Sequence, residues 1–207
     1  MDLGHKHKFG FVTVDEKGAV VECCDRTNPN AKWDWYTVGG RWGDFFKTAS
    51  GKVDQCRKGA VDVGGMRDEA GMKAAERFDK FARLTAGLAP VVPWDVVSER
   101  MFKGDIEAAR KYYRDQPIVK ALGADEEARW WDIGDFECGR EKYIQGARDR
   151  ALRTFAVVKD GQWYEKGKMG WWGCADEKDE EKWTAEFNTL VEGLPDETLL
   201  TIVDCHI

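Results

Sequence analysis

The chain has 207 residues, 43% of them apolar, which is one ordinary domain with enough material for a hydrophobic core. Its 32 basic and 38 acidic side chains leave a formal net charge of −6, which excludes a protein whose main work is coating long nucleic acid or an anionic membrane. No stretch approaches the ~20 apolar residues that span a bilayer, and MDLGHKHKFGF lacks a signal-peptide layout, so the expected setting is the cytoplasm.

From the N-terminus, HKFGFVTVDEKGAVVECC reads as a hairpin whose turn, Asp15-Glu16-Lys17-Gly18, has glycine at the positive-φ position. The aromatic segment NPNAKWDWYTVGGRWGDFF follows. After it, GKVDQCRKGAVDVGGMRD is glycine-rich and aperiodic, as a long loop is. Asp68 then caps an expected helix to about Ala86, with Met72, Ala75, Phe78, Phe81, Ala82 and Thr85 on a face suited to a sheet. GDIEAARKYYRDQP predicts a helix capped by Asp105 with Pro117 just past its end, and DFECGREKYIQGARDRAL another with Tyr143 and Ala147 facing inward.

RTFAVVKDGQWYEKG returns to β patterning, with Asp160-Gly161 as a two-residue hairpin turn. A last helix, about Asp176 to Glu192, carries Trp183, Phe187, Leu190 and Val191 on one stripe and stops at Gly193; its acidic DEKDEEK run is a solvated N-terminal turn. In the closing TLLTIVDCHI, Leu200, Ile202, Asp204 and His206 alternate with Leu199, Val203, Cys205 and Ile207, and apolar residues on both faces predict a central strand. This order of elements predicts an α+β protein: an antiparallel sheet of ferredoxin-like arrangement, helices mainly on one face, and a single domain, 1–207, with a helical insertion at about 66–150.

Between residues 25 and 60, seven cations face four carboxylates, whereas after Ala175 ten carboxylates face two lysines. The six cysteines show no C-x-x-C spacing and are expected to be free thiols, several of them buried. His5, His7, Asp204 and His206 offer a metal or an acid/base pair only if the termini meet; a hydrogen-bonded terminal histidine is the simpler reading, and neither a metal nor a cofactor is expected.

Trp33, Trp35, Tyr36 and Trp42 beside Gly39, Gly40 and Arg41 are the densest chemistry in the chain. Tryptophan offers a face on which a base stacks, arginine a fork that matches phosphate, and paired glycines a backbone that an anion can approach. The same aromatics also suit a plain core. GQWYEKGKMGWWGC repeats the ingredients with Trp163, Trp171, Trp172, Lys166 and Lys168, so two stretches hold six of the ten tryptophans.

The motif Asn28, Pro29, Lys32, Trp33, Asp34, Trp35, Gly39, Gly40, Arg41, Trp42, with MGWWG and the closing Val203-Asp204-Cys205-His206, resembles a family of largely uncharacterised bacteriophage and bacterial proteins. The resemblance covers both ends of the chain and leaves about 50–150 without a pattern. It implies a viral accessory protein, similar in kind to the sponges that sequester nucleotide immune signals such as cyclic ADP-ribose isomers. On that reading Trp33, Trp35, Trp42, Trp171 or Trp172 stack on a base, and Lys32, Arg41 and Lys168 meet phosphates. Asn28, Asp34, Asp204 or His206 then bond ribose or base edges, with Gly39 and Gly40 beside the anion. Two alternatives stand beside it: an enzyme hydrolysing such a nucleotide with Asp204 and His206 as acid and base, and an inhibitor that grips a host defence protein through exposed aromatics. The residues leave the oligomeric state open.

Overall fold

The computed structural model describes residues 10–25, 35–170 and 173–206, in two compact units. One, the strand unit, comprises 1–61, 163–178 and 195–207; the other, the helical unit, comprises 62–162 and 179–194. In chain order the strand unit begins with β1 (Gly10–Val14), β2 (Val20–Asp25), β3 (Trp35–Val38), β4 (Phe46–Thr48), β5 (Gly51–Val53) and β6 (Gln55–Arg57). The helical unit follows with α1 (Val63–Thr85), a π-helix (Val96–Met101), α2 (Ile106–Asp115), α3 (Pro117–Gly123), α4 (Arg140–Asp149) and β7 (Ala156–Lys159). Next come β8 (Gln162–Glu165), β9 (Lys168–Gly170) and β10 (Gly173–Ala175), then α5 (Glu180–Glu192), β11 (Leu199–Thr201) and β12 (Val203–His206).

The architecture is α+β, with small antiparallel sheets. The sheets are six two-stranded ribbons among the described residues, so the four-stranded ferredoxin-like arrangement is not formed there. The closing strand is accordingly not central: it breaks at Ile202 into β11, which pairs with β6, and β12, which pairs with β3. The segment expected to be a loop supplies β5, β6 and the start of α1.

The local turn signals hold. In the β1–β2 hairpin Asp15 Oδ1 accepts from Lys17 N at 2.8 Å and Ala19 N at 2.9 Å, and Gly18 takes φ 81°. Between β7 and β8, Asp160 and Gly161 both have positive φ, 52° and 74°. Asp105 caps α2, Pro117 opens α3, and Asp179 caps α5, whose first turn carries Glu180 and Glu181 and whose C-cap is Gly193.

The helical unit is wider than the insertion expected, and it includes α5. Helix α1 starts at Asp62 rather than Asp68: Gly65 N donates to Asp62 Oδ1 at 2.8 Å, so the Gly64-Gly65 pair lies inside the first turn. It packs on α4 and α3, not on a sheet. Its buried face accordingly holds Met66, Gly71 and Ala74, with Phe78 and Phe81 half-buried, while Met72 is 61% exposed. Phe136 stacks on Phe81 at 4.0 Å and on Tyr143 at 5.0 Å, and Ile118, Leu122 and Ala128 extend this core toward Leu84, Leu88, Trp131 and Ile133. The thiols differ from expectation: Cys23 and Cys138 are exposed and Cys24, Cys56 and Cys205 half-buried, all unpaired.

Candidate functional site

Within the strand unit the Gly39–Asp44 turn meets two carboxylates. Gly39 (φ 70°, ψ −80°) and Gly40 (φ 57°) take left-handed backbone that a side chain resists, and a Cβ on either would collide. On Gly39 it would lie 2.2 Å from Asp54 Oδ2, and on Gly40 2.5 Å from Asp204 Cβ. Asp54 Oδ1 accepts from Asp44 N at 2.6 Å, and Asp44 itself has φ 60°. Backbone bonds join the pieces: Gly39 N donates to Ile202 O at 3.0 Å and Ile202 N to Asp54 O at 2.9 Å.

Asp204 is buried, 5% exposed, and accepts three hydrogen bonds from Arg41: from N at 3.0 Å, from Nε at 2.8 Å and from Nη2 at 2.6 Å. This bidentate, side-on pairing raises the arginine's pKa above its already high value, chiefly through the hydrogen bond and then through charge. The Arg41 side chain is nevertheless 73% exposed. Two of its five N–H groups serve Asp204, which leaves three: one on Nη1 and one on Nη2 along the end-on edge of the fork, and a second on Nη1 facing the Cδ side. Beside it Trp42 is 57% exposed, and on β3 Tyr36 and Val38 are 59% and 50% exposed.

The glycine and arginine therefore do approach an anion, and that anion is Asp204. The second aromatic stretch behaves alike: Lys166 pairs with Glu177 at 2.8 Å, and a Cβ on Gly167 would lie 2.9 Å from Glu177 Cα. A third instance was not foreseen: Lys58 pairs with Asp196 at 3.1 Å, and a Cβ on Gly59 would lie 2.9 Å from Asp196 Cβ.

The structure thus brings Gly39, Gly40, Arg41 and Asp204 together and sets Trp42 beside them. Trp35 and His206 are cross-strand partners at the far end of the β3–β12 ribbon, and Lys168 is exposed on β9 opposite Ala175. Asn28, Lys32, Trp33, Asp34, Trp171 and Trp172 lie outside the described residues, as do His5 and His7. Asp54 was missed, because a single acidic residue in an aperiodic stretch gives no sign that it faces a glycine fifteen positions earlier. Among the described residues no cluster of His, Cys, Asp or Glu is arranged to hold a metal. Burial pushes the Cys56 and Cys205 thiols up, with Asp204 adding to the second, so both are protonated at neutral pH.

The helical unit has an open cleft of about 1140 Å³ beside α4 and α5. Its charges are largely used internally: Arg153 with Glu180, Lys142 with Glu181, and Asp149 with Gln145. No helix is long and apolar enough to cross a membrane among the described residues. The chain matches no protein-family model, no curated protein and no solved structure.

Proposed function

We propose that this is a non-catalytic binding protein that holds a nucleotide-derived anion, with the Gly39–Trp42 turn at the centre of its site. The observation that carries the reading is the guanidinium of Arg41, fixed on one edge by buried Asp204 and exposed on the other, with Trp42 exposed next to it. A fixed fork binds phosphate without the entropy cost of ordering a free side chain, and an exposed indole stacks on a base. Because Asp204 neutralises Arg41, the contact gains from direction more than from net charge, and binding should depend only weakly on salt. With the resemblance described above, the reading extends to sequestration of a cyclic nucleotide or ADP-ribose-type immune signal by a phage counter-defence protein in the host cytoplasm.

An acid/base role suits Asp204 poorly, since both its oxygens already accept from Arg41. A second reading has its own support: Tyr36, Val38 and Trp42, all at least half exposed, suit the grip of a host defence protein. Incubation with a panel of cyclic nucleotides and ADP-ribose derivatives, removal of unbound ligand, heating and mass spectrometry separate these readings. Unchanged nucleotide, retained by the native protein and lost in Trp42→Ala, is the expected result. A converted product moves the function to hydrolysis, and retention of nothing moves it to a protein partner.

A further inference from the structure

The Gly39–Asp44 turn uses its backbone donors internally. Gly39 N donates to Ile202 O, Arg41 N to Asp204, Trp42 N to Gly39 O at 3.0 Å, Gly43 N to Gly40 O at 3.2 Å and Asp44 N to Asp54. None of these N–H groups remains for a nest of the kind that cradles a multiply charged phosphate. What the turn presents to solvent is the fork of Arg41, whose end-on edge carries one N–H on Nη1 and one on Nη2.

Positive charge is scarce at the same place. Asp204 neutralises Arg41, and two further carboxylates belong to the turn: Asp44 itself, and Asp54, whose Oδ2 would lie 2.2 Å from a Cβ on Gly39 and whose Oδ1 3.7 Å from one on Gly43. Lys47 and Lys52, the cations next along the chain, are cross-strand partners on β4 and β5, and neither is free. One guanidinium therefore stands among the carboxylates of Asp44, Asp54 and Asp204, in a chain of net charge −6. A phosphate esterified on one side has three free oxygens and takes a second negative charge above its second pKa of about 6. A phosphate esterified on both sides keeps a single charge, shared by two free oxygens, and two parallel N–H groups match those two oxygens.

We infer that the Arg41 site selects a phosphodiester, with one charge and two free oxygens, over a terminal phosphate on the same nucleoside. This selectivity rests on the nucleotide binding proposed above, in which Trp42 stacks on the base whichever phosphate is present. The test is equilibrium dialysis of the full chain at neutral pH against cyclic AMP, AMP, the methyl diester of AMP, and adenosine. Both diesters should bind about fivefold or more tightly than AMP, the size expected for one extra charge repelled by nearby exposed carboxylates, and adenosine should bind weaker than the diesters. Asp44→Asn takes one carboxylate from the turn, and asparagine tolerates the φ of 60° there, so circular dichroism should not change. In that variant AMP should gain about twofold or more while the diesters gain less, which narrows the gap. AMP bound as tightly as its methyl diester, adenosine bound as tightly as either, or a gap that Asp44→Asn leaves intact would overturn the selectivity while nucleotide binding stands. Retention of none of the four would overturn the nucleotide reading and the selectivity together.

Discussion

In the helical unit Trp183 is fully buried and its indole N–H donates to the Thr154 carbonyl at 3.0 Å, whereas in the strand unit Trp42 is 57% and Tyr36 59% exposed. The difference follows from architecture. Helices α1, α3 and α4 offer broad faces that enclose Phe136 between Phe81 and Tyr143, so large rings remove apolar area from water there. A two-stranded ribbon cannot cover both its faces, and among the described residues of the strand unit the buried side chains are chiefly Phe46, Ile202 and Asp204. What it has instead is a recurring clasp, a glycine next to a cation closed on a carboxylate, which is distant in sequence for Gly40-Arg41 on Asp204 and Lys58-Gly59 on Asp196 and nearby for Lys166-Gly167 on Glu177. In these three turns a carboxylate of the chain itself takes the cation and closes on the glycine, whereas at Gly18, Gly51, Gly104 and Gly139, which also adjoin a lysine or arginine, nothing comes within 4 Å of a Cβ.

The sharpest break of this comparison is Trp183→Ala. It empties a fully buried site, so thermal or denaturant unfolding should report a loss of about 3–5 kcal/mol, as for other buried aromatic truncations. A loss below about 1 kcal/mol would show that α5 is not anchored by this ring. The next effect belongs to the clasp: Gly40→Ala places a Cβ at φ 57° and 2.5 Å from Asp204 Cβ, and should cost about 1–3 kcal/mol from backbone strain alone, before the collision. If Gly40→Ala is as stable as the native chain, the turn is not held against Asp204.

These two positions also show what could be read without a structure. The stripe containing Trp183 and Phe187 was legible because helical periodicity and the Gly193 stop are local signals, and so were the Asp15–Gly18 and Asp160-Gly161 turns. The start of α1 was not, because Gly64-Gly65 imitates a loop while the deciding bond, Gly65 N to Asp62, depends on the cap. Nor was its buried face: Met72 fits the helical stripe, but the partner is α4 rather than a sheet, which turns Met66 and Ala74 inward. The chemistry of Gly39-Gly40-Arg41 was legible as anion recognition, but its carboxylate lies 163 residues away, where no pattern links the two.

Acid separates the units more gently. Lys80 holds the Asp125 carboxyl at about 2, first by its hydrogen bond and then with help from the Ala128 N–H, and Arg140 and Lys120 hold Asp79 and Asp115 below their ordinary range. Folded values below unfolded ones mean that these pairs stabilise the helical unit fully above about pH 4 and lose their effect as pH falls toward 2. Asp79 and Asp115 keep about half of their side-chain surface in water and the Lys80–Asp125 pair about a quarter, so solvent weakens each pair and the expected change is a shallow decline in helical ellipticity or midpoint, screened further by salt. Asp125→Asn should flatten it. An equally steep decline in that variant would place the acid sensitivity elsewhere.

The smallest effect on stability is the most informative about function. Trp42→Ala removes a ring that is 57% exposed and takes no part in the Asp204 clasp, so unfolding should shift by no more than about 0.5 kcal/mol. Arg41→Ala is a poorer probe of binding, because it strips a buried carboxylate of its two side-chain hydrogen bonds and so disturbs the turn as well as the site. If Trp42→Ala leaves stability unchanged while abolishing nucleotide retention, then exposure in the strand unit is exposure for a ligand. If instead it costs as much as Trp183→Ala, the aromatics of both units are core, and the contrast between them does not hold.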